Sequence, residues 1–298
     1  MGSFRNVILC ADDFGLADGV SRGIVELAEM GRLSATGAMT NMPGWRRAAP
    51  DLKALRGRIA VGLHLNLTTG SPLGPMPQLA PSGRFPTLRD LLPKALKRQL
   101  EVDEIAREID RQLDAFLEVH GEPPAFVDGH QHVHVLPVIR PALIRVLAER
   151  GYAGRVWLRD PSDKVASILR RPIGRRKALI VKSLSRGFVR SVQAAGFRTN
   201  EGFSGFAPLD LSVPAARVFE AAFSKLGSHP VVMCHPGYVD DELRALDPAV
   251  ESRVEELSYL KSDAFSAMLG ERGLSLVASP KIAATVIPGR AIARARNP

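Results

Sequence analysis

Short apolar runs alternate with helical patterns along most of the chain, and this alternation constrains the fold more than any other feature. Seven runs bounded by glycine, proline or charged residues are typical of β-strands. They are NVILCA, SATGAMT, RIAVGLHL, AFVD, GRVWL, HPVVMCH and LSLVAS. Apolar spacing predicts helices over residues 20–31, 44–55, 102–119, 137–150, 213–226 and 250–270. Strands separated by helices indicate βαβ units and therefore an α/β fold with a parallel sheet.

The length of the chain predicts how these units are organised. At 298 residues the chain is long for one ordinary domain, but (β/α) barrels reach this size as single units. There is no repeat of fixed period and no linker that would divide two domains. We expect one domain over residues 1–298, with insertions over one face at TTGSPLGPMPQLAPSGRFP and at about residues 160–200. A loose basic tail is expected at about residues 287–298.

The composition excludes several classes of protein. Hydrophobic residues make up 45% and charged residues 24%, which is typical of a soluble globular enzyme and not of a disordered or collagen-like chain. No stretch approaches about 18 uncharged apolar residues, so no membrane span is predicted. The apolar run near the N-terminus ends in two carboxylates and predicts a strand, not a signal peptide. Cys10 and Cys234 have no CxxC partners, which favours a reducing compartment, and we expect a cytoplasmic protein.

The net charge of +9 is concentrated in one segment. Ten lysines and arginines and no acidic residue lie between Lys164 and Arg198. The other 30 of the 40 basic residues are balanced by 31 acidic residues, so the chain outside this segment is close to neutral. A basic stripe is thus missing outside residues 164–198, which argues against nucleic acid as a partner.

The stretch KALIVKSLSRGFVRSV within that segment allows two interpretations. Its apolar residues recur at helical spacing and its basic residues fall four apart on another face, although Gly187 is a poor residue for a helix interior. One interpretation is an outer barrel helix with solvated charges. The other is an interfacial helix in peripheral contact with anionic lipid or a membrane-borne glycolipid. The apolar set is Val181, Leu184, Phe188 and Val192, and the basic set is Lys182, Arg186 and Arg190.

Polar residues of the kinds that carry chemistry follow several predicted strands at their C-terminal ends. Asp12 and Asp13 follow the first run, His64 ends the third, Asp128 follows the fourth, and His235 ends HPVVMCH. In parallel α/β proteins the C-terminal ends of the strands meet at one edge, where reactive groups gather. The sequence therefore predicts one shared site.

Asp12 and Asp13 predict a cation near this edge. Adjacent carboxylates repel one another, so an apolar strand that leads into both needs a compensating charge or a large pKa shift. On an extended backbone the two side chains point opposite ways, so that one can bind an ion while the other faces water or substrate. The alternative role, capping the next helix, is filled better by Asp18.

The segment DGHQHVH places His130, His132 and His134 at every second position. On an extended backbone such side chains point the same way and could converge on one ion, but geometry alone does not choose between one ligand and three. A polar turn with solvated imidazoles is the alternative. One aspartate with two histidines, including His64, suits a Zn, Mn, Co or Mg site that activates a hydrolytic water. His235, before a Pro-Gly turn, would suit either a general acid or a structural role.

Five segments in order carry a family resemblance: ADDFGLADGVSRGI, VGLHLNLTTGSPL, DGHQHVHVLP, RTNEGFSGF and CHPGYVD. They resemble the signature segments of the YdjC family, also called the ChbG/HpnK family of carbohydrate deacetylases. They extend from Ala11 to Asp240. The resemblance implies an irregular, TIM-like (β/α) barrel that removes the N-acetyl group from a sugar, oligosaccharide or glycolipid and releases acetate.

The resemblance also implies roles for particular residues. Asp13, His64 and His130 match the ligands of one divalent metal ion, Mg²⁺ or Zn²⁺, with Mn²⁺ or Co²⁺ as alternatives. Asp12 matches the catalytic base and His235 a general acid. A homodimer is the oligomeric state expected from the family.

Other residues near the motifs are expected to contact the substrate or to support the ligands. Asp128, His132 and His134 are assigned to this group because a histidine or carboxylate beside a metal site can orient its ligands. Phe203 and Phe206, with Trp157, could stack on sugar faces, although aromatic residues in strands are more often part of the core.

Two rival functions are less compatible with the sequence. A metal-dependent phosphoester hydrolase would usually need more ligands for two or three ions than the single site predicted here. A non-catalytic sugar-binding barrel does not account for the pair Asp12 and Asp13.

Overall fold

A curled parallel sheet lies at the centre of the computed structural model, which describes residues 5–247 and 250–279. All strand pairs in this part of the chain are parallel. The strands are β1 (Arg5–Phe14), β2 (Ala35–Ala38), β3 (Ala60–Leu65), β4 (Phe126–Gly129), β5 (Trp157–Leu158), β6 (Arg198–Thr199), β7 (Phe203–Ser204), β8 (Val231–Cys234) and β9 (Leu274–Leu276). The tail expected at residues 287–298 lies outside the described residues.

Helices separate these strands along the chain. The first six are α1 (Asp18–Glu29), α2 (Pro43–Ala54), α3 (Leu88–Leu96), α4 (Val102–His120), α5 (Ile139–Glu149) and α6 (Val165–Arg170). The others are α7 (Arg175–Leu184), α8 (Phe188–Ala194), α9 (Ala215–Ala222), α10 (Asp241–Leu246), α11 (Glu251–Lys261) and α12 (Asp263–Glu271). A short 3-10 segment, His130–Val135, follows β4. None of the helices within the described ranges is long and apolar enough to cross a membrane.

The strand order makes the barrel irregular. The order is β6-β5-β4-β3-β2-β1-β8-β7, with β9 paired to the first part of β1. The end strands β6 and β7 follow one another in the chain, and the side chain of Asn200 lies at the seam between them. Its amide nitrogen donates to the carbonyls of Asp160 and Gly202, and its oxygen accepts from the Asp160 N–H. The expected single-domain α/β fold of the irregular barrel type is confirmed.

All seven predicted strands are present, and the differences concern short elements. β6 and β7 were not predicted because two residues are too few to show a pattern. The helix predicted over residues 250–270 is interrupted at Ser262, whose hydroxyl accepts from the Phe265 N–H and begins a new helix.

The stretch KALIVKSLSRGFVRSV, predicted as a single helix, is divided between two helices, α7 and α8. The chain leaves α7 after Leu184 and begins α8 at Phe188, with Gly187 at a φ of 78° in the left-handed region. Phe188 and Val192 are fully buried, and Val181 is half-buried. The apolar residues chosen from the sequence therefore face the protein. The prediction of an interfacial helix that presents these residues to a membrane is wrong.

The inner face of the barrel carries a small apolar core. Its members, one or two from each of seven strands, are Ile8, Cys10, Ala35, Ala60, Phe126, Trp157, Phe203, Val231 and Met233. The opposite face of the sheet packs against the helices in a much larger cluster. Because side chains on a strand alternate between faces, residues two positions beyond the inner core also point into the barrel. The C-terminal end of the barrel is built from these positions.

Candidate active site

A layer of polar side chains closes the inner face of the sheet at its C-terminal edge. Two positions beyond Cys10, Gly62, Phe126 and Trp157 stand Asp12, His64, Asp128 and Arg159. All four polar side chains are buried, with exposed fractions of 1% or less. Parallel strands thus bring together residues that are up to 147 positions apart in the chain, such as Asp12 and Arg159.

A β-bulge turns both Asp12 and Asp13 towards the same cavity. The pairing of β1 with β2 shifts register between Ala11 and Phe14, and Asp13 has a φ of 73°. Asp is among the residues that tolerate the left-handed region, and bulges often redirect side chains beside active sites. The expectation that the two carboxylates point opposite ways holds for a regular strand and does not apply at this bulge.

Three donor atoms meet beside the bulge. Asp13 Oδ1 lies 3.0 Å from His130 Nδ1 and 3.4 Å from His64 Nε2, and all three atoms are within 4.8 Å of one another. Donors at about 2.0–2.2 Å from a common ion are separated by about 3.0–3.5 Å, so this set fits a divalent cation. One carboxylate oxygen and two imidazole nitrogens suit Zn²⁺, Mn²⁺, Co²⁺ or Mg²⁺.

His64 is oriented by a carboxylate behind it. Its Nδ1 is 2.6 Å from Asp128 Oδ1, which leaves Nε2 directed at Asp13. This carboxylate–histidine pair is the arrangement that commonly supports a metal-binding imidazole. Burial disfavours the charged ring, but Asp128 and Asp12 outweigh it and raise the pKa of His64 to about 10. A cation that binds Nε2 must therefore displace a proton.

The three histidines after Asp128 diverge and do not form one row. Gln131 and His132 have φ angles of 52° and 60°, so the chain turns in a 3-10 segment where the sequence suggested an extended one. His130 reaches the donor cluster, His132 packs edge-on against Phe206, and His134 Nε2 is 2.8 Å from the carbonyl oxygen of Arg159. The backbone thus directs one of the three histidines at the cluster.

Arg159 links two carboxylates of the buried layer and was not singled out from the sequence. Its guanidinium donates to both oxygens of Asp12 at 2.7 Å and lies 2.9 Å from Asp128 Oδ2. Burial opposes the charge on Asp12, but Arg159 outweighs burial and lowers the pKa of this carboxyl below its ordinary value. Arg159 stands two positions after the buried Trp157, so the strand-end rule applied to the fifth run would have found it.

A second cluster of possible ligands already contains a cation from the protein itself. Cys10, Asp12 and Asp128 lie close enough together to hold a metal. Arg159 donates to Asp12 and pairs with Asp128, and burial raises the pKa of the Cys10 thiol. The guanidinium therefore neutralises this cluster, and within the described residues the set of Asp13, His64 and His130 is the one that fits an ion.

Helix α11 contributes two further buried charges that the sequence did not indicate. Arg253 donates at 2.6 Å to Asp13 Oδ2, the oxygen not directed at the histidines, and also to Asp247. Glu256 accepts from the His235 backbone N–H at 2.6 Å. Burial raises the pKa of Glu256 to about 7 despite this bond and the charge of Arg253. A local pattern does not show which face of α11 contacts the barrel.

The cluster lies in a cavity of about 410 Å³. Asp12, Asp13, His64, His130 and His235 line its polar part. Burial lowers the pKa of His235, which favours a neutral imidazole. Much of the remaining wall is aliphatic and comes from Leu16, Leu88, Leu92, Val135, Leu136, Ile180, Val181, Leu184, Leu209 and Leu246.

The residues expected to touch substrate divide into two groups. His132 and Phe206 line the cavity, whereas Asp128, His134 and Phe203 are buried behind it. Phe203 belongs to the inner core, where the Arg159 guanidinium lies 5.4 Å from its ring centre. Trp157 stacks on Phe126 with ring centres 4.8 Å apart. Phe203 and Trp157 are thus core residues and not platforms for a sugar.

Known proteins resemble this chain over most of its length. The family model described as YdjC-like protein matches residues 6–271. A chitooligosaccharide deacetylase of Enterobacter sp. (strain 638) is 32% identical over 272 residues, which cover 91% of this chain and 96% of that protein. The chitooligosaccharide deacetylase of Citrobacter koseri is 31% identical over 274 residues, covering 91% and 97% of the two chains.

One solved structure shares the fold over nearly the full length. It is a crystal structure of a candidate cellobiose-phosphate cleavage protein from Enterococcus faecalis, with a TM-score of 0.71 and 22% sequence identity. The match covers 92% of this chain and 97% of that one. The likeness supports the architecture described above.

Proposed function

The chain belongs to the YdjC-like protein family, and from this membership and its site we propose that it is a metal-dependent carbohydrate N-deacetylase. The observation that carries the proposal is the meeting of Asp13, His64 and His130 donor atoms in a cavity that Asp12 and His235 also line. Relatives that align over nine-tenths of both chains are named chitooligosaccharide deacetylases, which supports an N-acetylated sugar as substrate.

Asp13, His64 and His130 would hold one divalent ion, Mg²⁺ or Zn²⁺, with Mn²⁺ or Co²⁺ as alternatives. Such an ion supplies polarisation of the acetyl carbonyl and a bound water whose pKa falls towards about 7. Arg253, which binds the other oxygen of Asp13, keeps that carboxylate ionised and fixed in orientation. Asp128 does the same for the His64 ring.

Asp12 is the proposed base. Arg159 donates to both of its oxygens and keeps the carboxylate unprotonated and fixed in orientation for the attacking water, although the same bonds lower its pKa and weaken it as a base. The bulge brings Asp13, and with it the donor cluster, to the inner face that Asp12 already occupies. The role of Arg159 is to position the base and not to touch the substrate.

His235 is the proposed acid. It lines the same cavity as Asp12 and Asp13, and its neutral imidazole can take up a proton and pass it to the departing amine. The Glu256 carboxylate fixes the backbone at His235 by accepting its N–H. His132 and Phe206 line the same cavity and would contact the sugar.

The aliphatic walls support a substrate whose acetylated sugar carries an apolar group. Leu88 and Leu92 of α3 and Ile180 and Leu184 of α7 line the cavity. A free oligosaccharide gains little from such walls, since apolar burial favours apolar groups at about 25 cal/mol per Å². Acetylated glycolipids therefore belong beside oligosaccharides among the substrates to be tested.

Mass spectrometry of a substrate panel tests the proposal. N-acetylated oligosaccharides and glycolipids are incubated with the protein and each of Mg²⁺, Zn²⁺, Mn²⁺ and Co²⁺. Loss of one acetyl group from the sugar with release of acetate is expected, and the His130→Ala variant should release none. Release of phosphate from phosphorylated sugars without any acetate would instead support the rival phosphoester hydrolase.

The cytoplasm is the proposed location, and a homodimer is the proposed oligomeric state. Cys10 and Cys234 are both buried free thiols, which is compatible with a reducing compartment. Fractionation of the source cells tests the first statement, and light scattering during gel filtration tests the second.

A further inference from the structure

The segment 164–190 concentrates positive charge, with nine lysines and arginines and no acidic residue. Some exposed arginines elsewhere pair with carboxylates, namely Arg46 with Glu118, Arg47 with Asp18 and Glu242, and Arg145 with Asp103, whereas others such as Arg84 and Arg89 have no such partner among the described residues. Six side chains in this segment have no carboxylate oxygen within 4.0 Å in the described part of the chain. They are Lys164, Arg170, Arg175, Arg176, Arg186 and Arg190. Their positive charge is therefore not neutralised within the described fold.

Exposed aliphatic side chains lie among these charges. Four of the ten large apolar side chains exposed on the described surface belong to α6 and α7. They are Val165, Leu169, Leu179 and Ile180, with exposed fractions of 46%, 52%, 37% and 61%. Residues four apart on a helix share a face, so Leu179 lies next to Arg175 and Ile180 next to Arg176. Since α6 packs on α7, these residues form one mixed surface, called the α6–α7 face below.

A basic groove adjoins this face. The interruption between the two helices at Gly187 opens a groove of about 470 Å³ between α7 and α8. Its walls include Leu179, Lys182, Arg186 and Arg190. Lys182 donates to the Asp163 carbonyl oxygen, so Arg186 and Arg190 are the side chains available to an anion. Such a groove suits an anionic headgroup.

The same helix forms a wall of the active-site cavity. Ile180 is exposed on the α6–α7 face and also lines the cavity, as do Val181 and Leu184 further along α7. Any surface that contacts the α6–α7 face therefore lies beside the entrance to the site.

We propose that the α6–α7 face and its groove dock on the surface of an anionic lipid bilayer. Aliphatic side chains enter the boundary of the acyl chains, and the unpaired arginines bind headgroups. A second copy of the chain fits less well, because a two-fold dimer through this face would bring its unpaired cations together. Docking does not depend on the reaction. Its consequence, that the cavity receives a membrane-borne acetylated sugar, rests on the proposed function.

Vesicle co-sedimentation with four double variants tests the docking. Arg175→Glu with Arg176→Glu removes charge from the face, and Leu169→Ser with Leu179→Ser removes apolar surface. The charge control is Arg107→Glu with Arg217→Glu, which are exposed residues on α4 and α9 with the same change in net charge. The apolar control is Met30→Ser with Leu96→Ser, which are exposed outside the face.

The wild type should sediment with phosphatidylglycerol vesicles at low salt, be released by high salt, and ignore pure phosphatidylcholine. The Arg175/Arg176 variant should bind at least about 25-fold more weakly, since each basic residue near an anionic surface contributes about fivefold. The Leu169/Leu179 variant should also lose binding, and both controls should keep it.

Two results would overturn the docking proposal. One is a wild type that ignores anionic vesicles at low salt. The other is equal weakening of binding in the Arg175/Arg176 variant and in the Arg107/Arg217 control, with no loss in the Leu169/Leu179 variant, which would mean that net charge alone attracts the protein. If the wild type does not bind vesicles and the Leu169/Leu179 variant turns a dimer into a monomer, the α6–α7 face is instead an interface between two copies of the chain.

Activity on a soluble N-acetylated oligosaccharide separates this proposal from the proposed function. All five proteins should hydrolyse it equally, because none of the changed residues lines the cavity. Absence of hydrolysis in every protein, including the wild type, refutes the function, while vesicle binding would still establish the docking.

Discussion

Arginine has opposite environments at the active site and on the α6–α7 face. Arg159 and Arg253 are buried and each contacts two carboxylates, whereas Arg175 and Arg176 are exposed and have no carboxylate partner among the described residues. A buried charge is stable only while it is paired. An exposed and unpaired one costs little and leaves a field that acts on other molecules. One residue type therefore organises a reaction centre in one region and provides a contact surface in the other.

The largest effect should come from the donor cluster. His130→Ala should lose the metal and lower hydrolysis by about 10³-fold or more, because the ion supplies several kcal/mol of stabilisation. This variant is easier to interpret than Asp13→Ala, which would also remove one of the two carboxylates that pair with the buried Arg253. Metal content and turnover are measured together with the unfolding curve. Full metal occupancy in His130→Ala would show that another histidine is the ligand.

Removal of the proposed base should be the next largest effect. Asp12→Asn should keep the metal and lose about 10²- to 10⁴-fold in rate, which is the usual contribution of a general base. Metal content serves as the internal control, since Asp12 is not in the donor set. Near-normal turnover in this variant would remove Asp12 from the mechanism.

Matched substitutions of arginine test the comparison directly. Arg159→Met removes the guanidinium that pairs with the buried carboxylates of Asp12 and Asp128 and should lower the free energy of unfolding by about 3–5 kcal/mol. Arg175→Met on the α6–α7 face should change it by about 0.5 kcal/mol or less. Urea unfolding of both variants at one pH gives the two values. Similar losses in both would contradict the distinction between paired and unpaired arginines.

Much of the site follows from two properties of parallel sheets. Strand ends meet at one edge and side chains alternate between faces, so Asp12, His64 and Asp128 could be expected to lie together. The sequence could not show the bulge at Asp13 or the left-handed turn at Gln131, since both depend on positive φ angles in residues other than glycine. Those two turns decide which side chains enter the cavity.

The limits of sequence patterns are clearest in the helices. Helical spacing correctly indicated that Phe188 and Val192 share an apolar face, but not that this face is buried. It also did not show that Gly187 separates two helices. Arg253 and Glu256 reach the site because α11 packs against the barrel with that side, which is a tertiary property with no local signal.

The smallest predicted effect concerns Glu256, a buried carboxylate whose negative charge is only partly compensated by Arg253 and the His235 N–H. Burial raises its pKa in the folded protein from 4.5 to about 7. Between these two pH values the folded state binds more protons than the unfolded one, so stability falls as pH rises through this range. Above about pH 7 the destabilisation is complete. Glu256→Gln removes the ionisation and keeps an oxygen that can accept from the His235 N–H.

Relative to Glu256→Gln, the wild type should therefore become less stable between pH 5 and pH 8, by at most about 3 kcal/mol. Urea unfolding of metal-free protein at both pH values measures the change. Glu255→Gln, on the same helix but exposed, is the matched control and should follow the wild type. Parallel stability curves for wild type and Glu256→Gln would mean that Arg253 and the His235 N–H fully compensate the buried charge. The buried charge of Glu256 would then be compensated like that of Arg159 and Arg253, in contrast to the unpaired charges of the α6–α7 face.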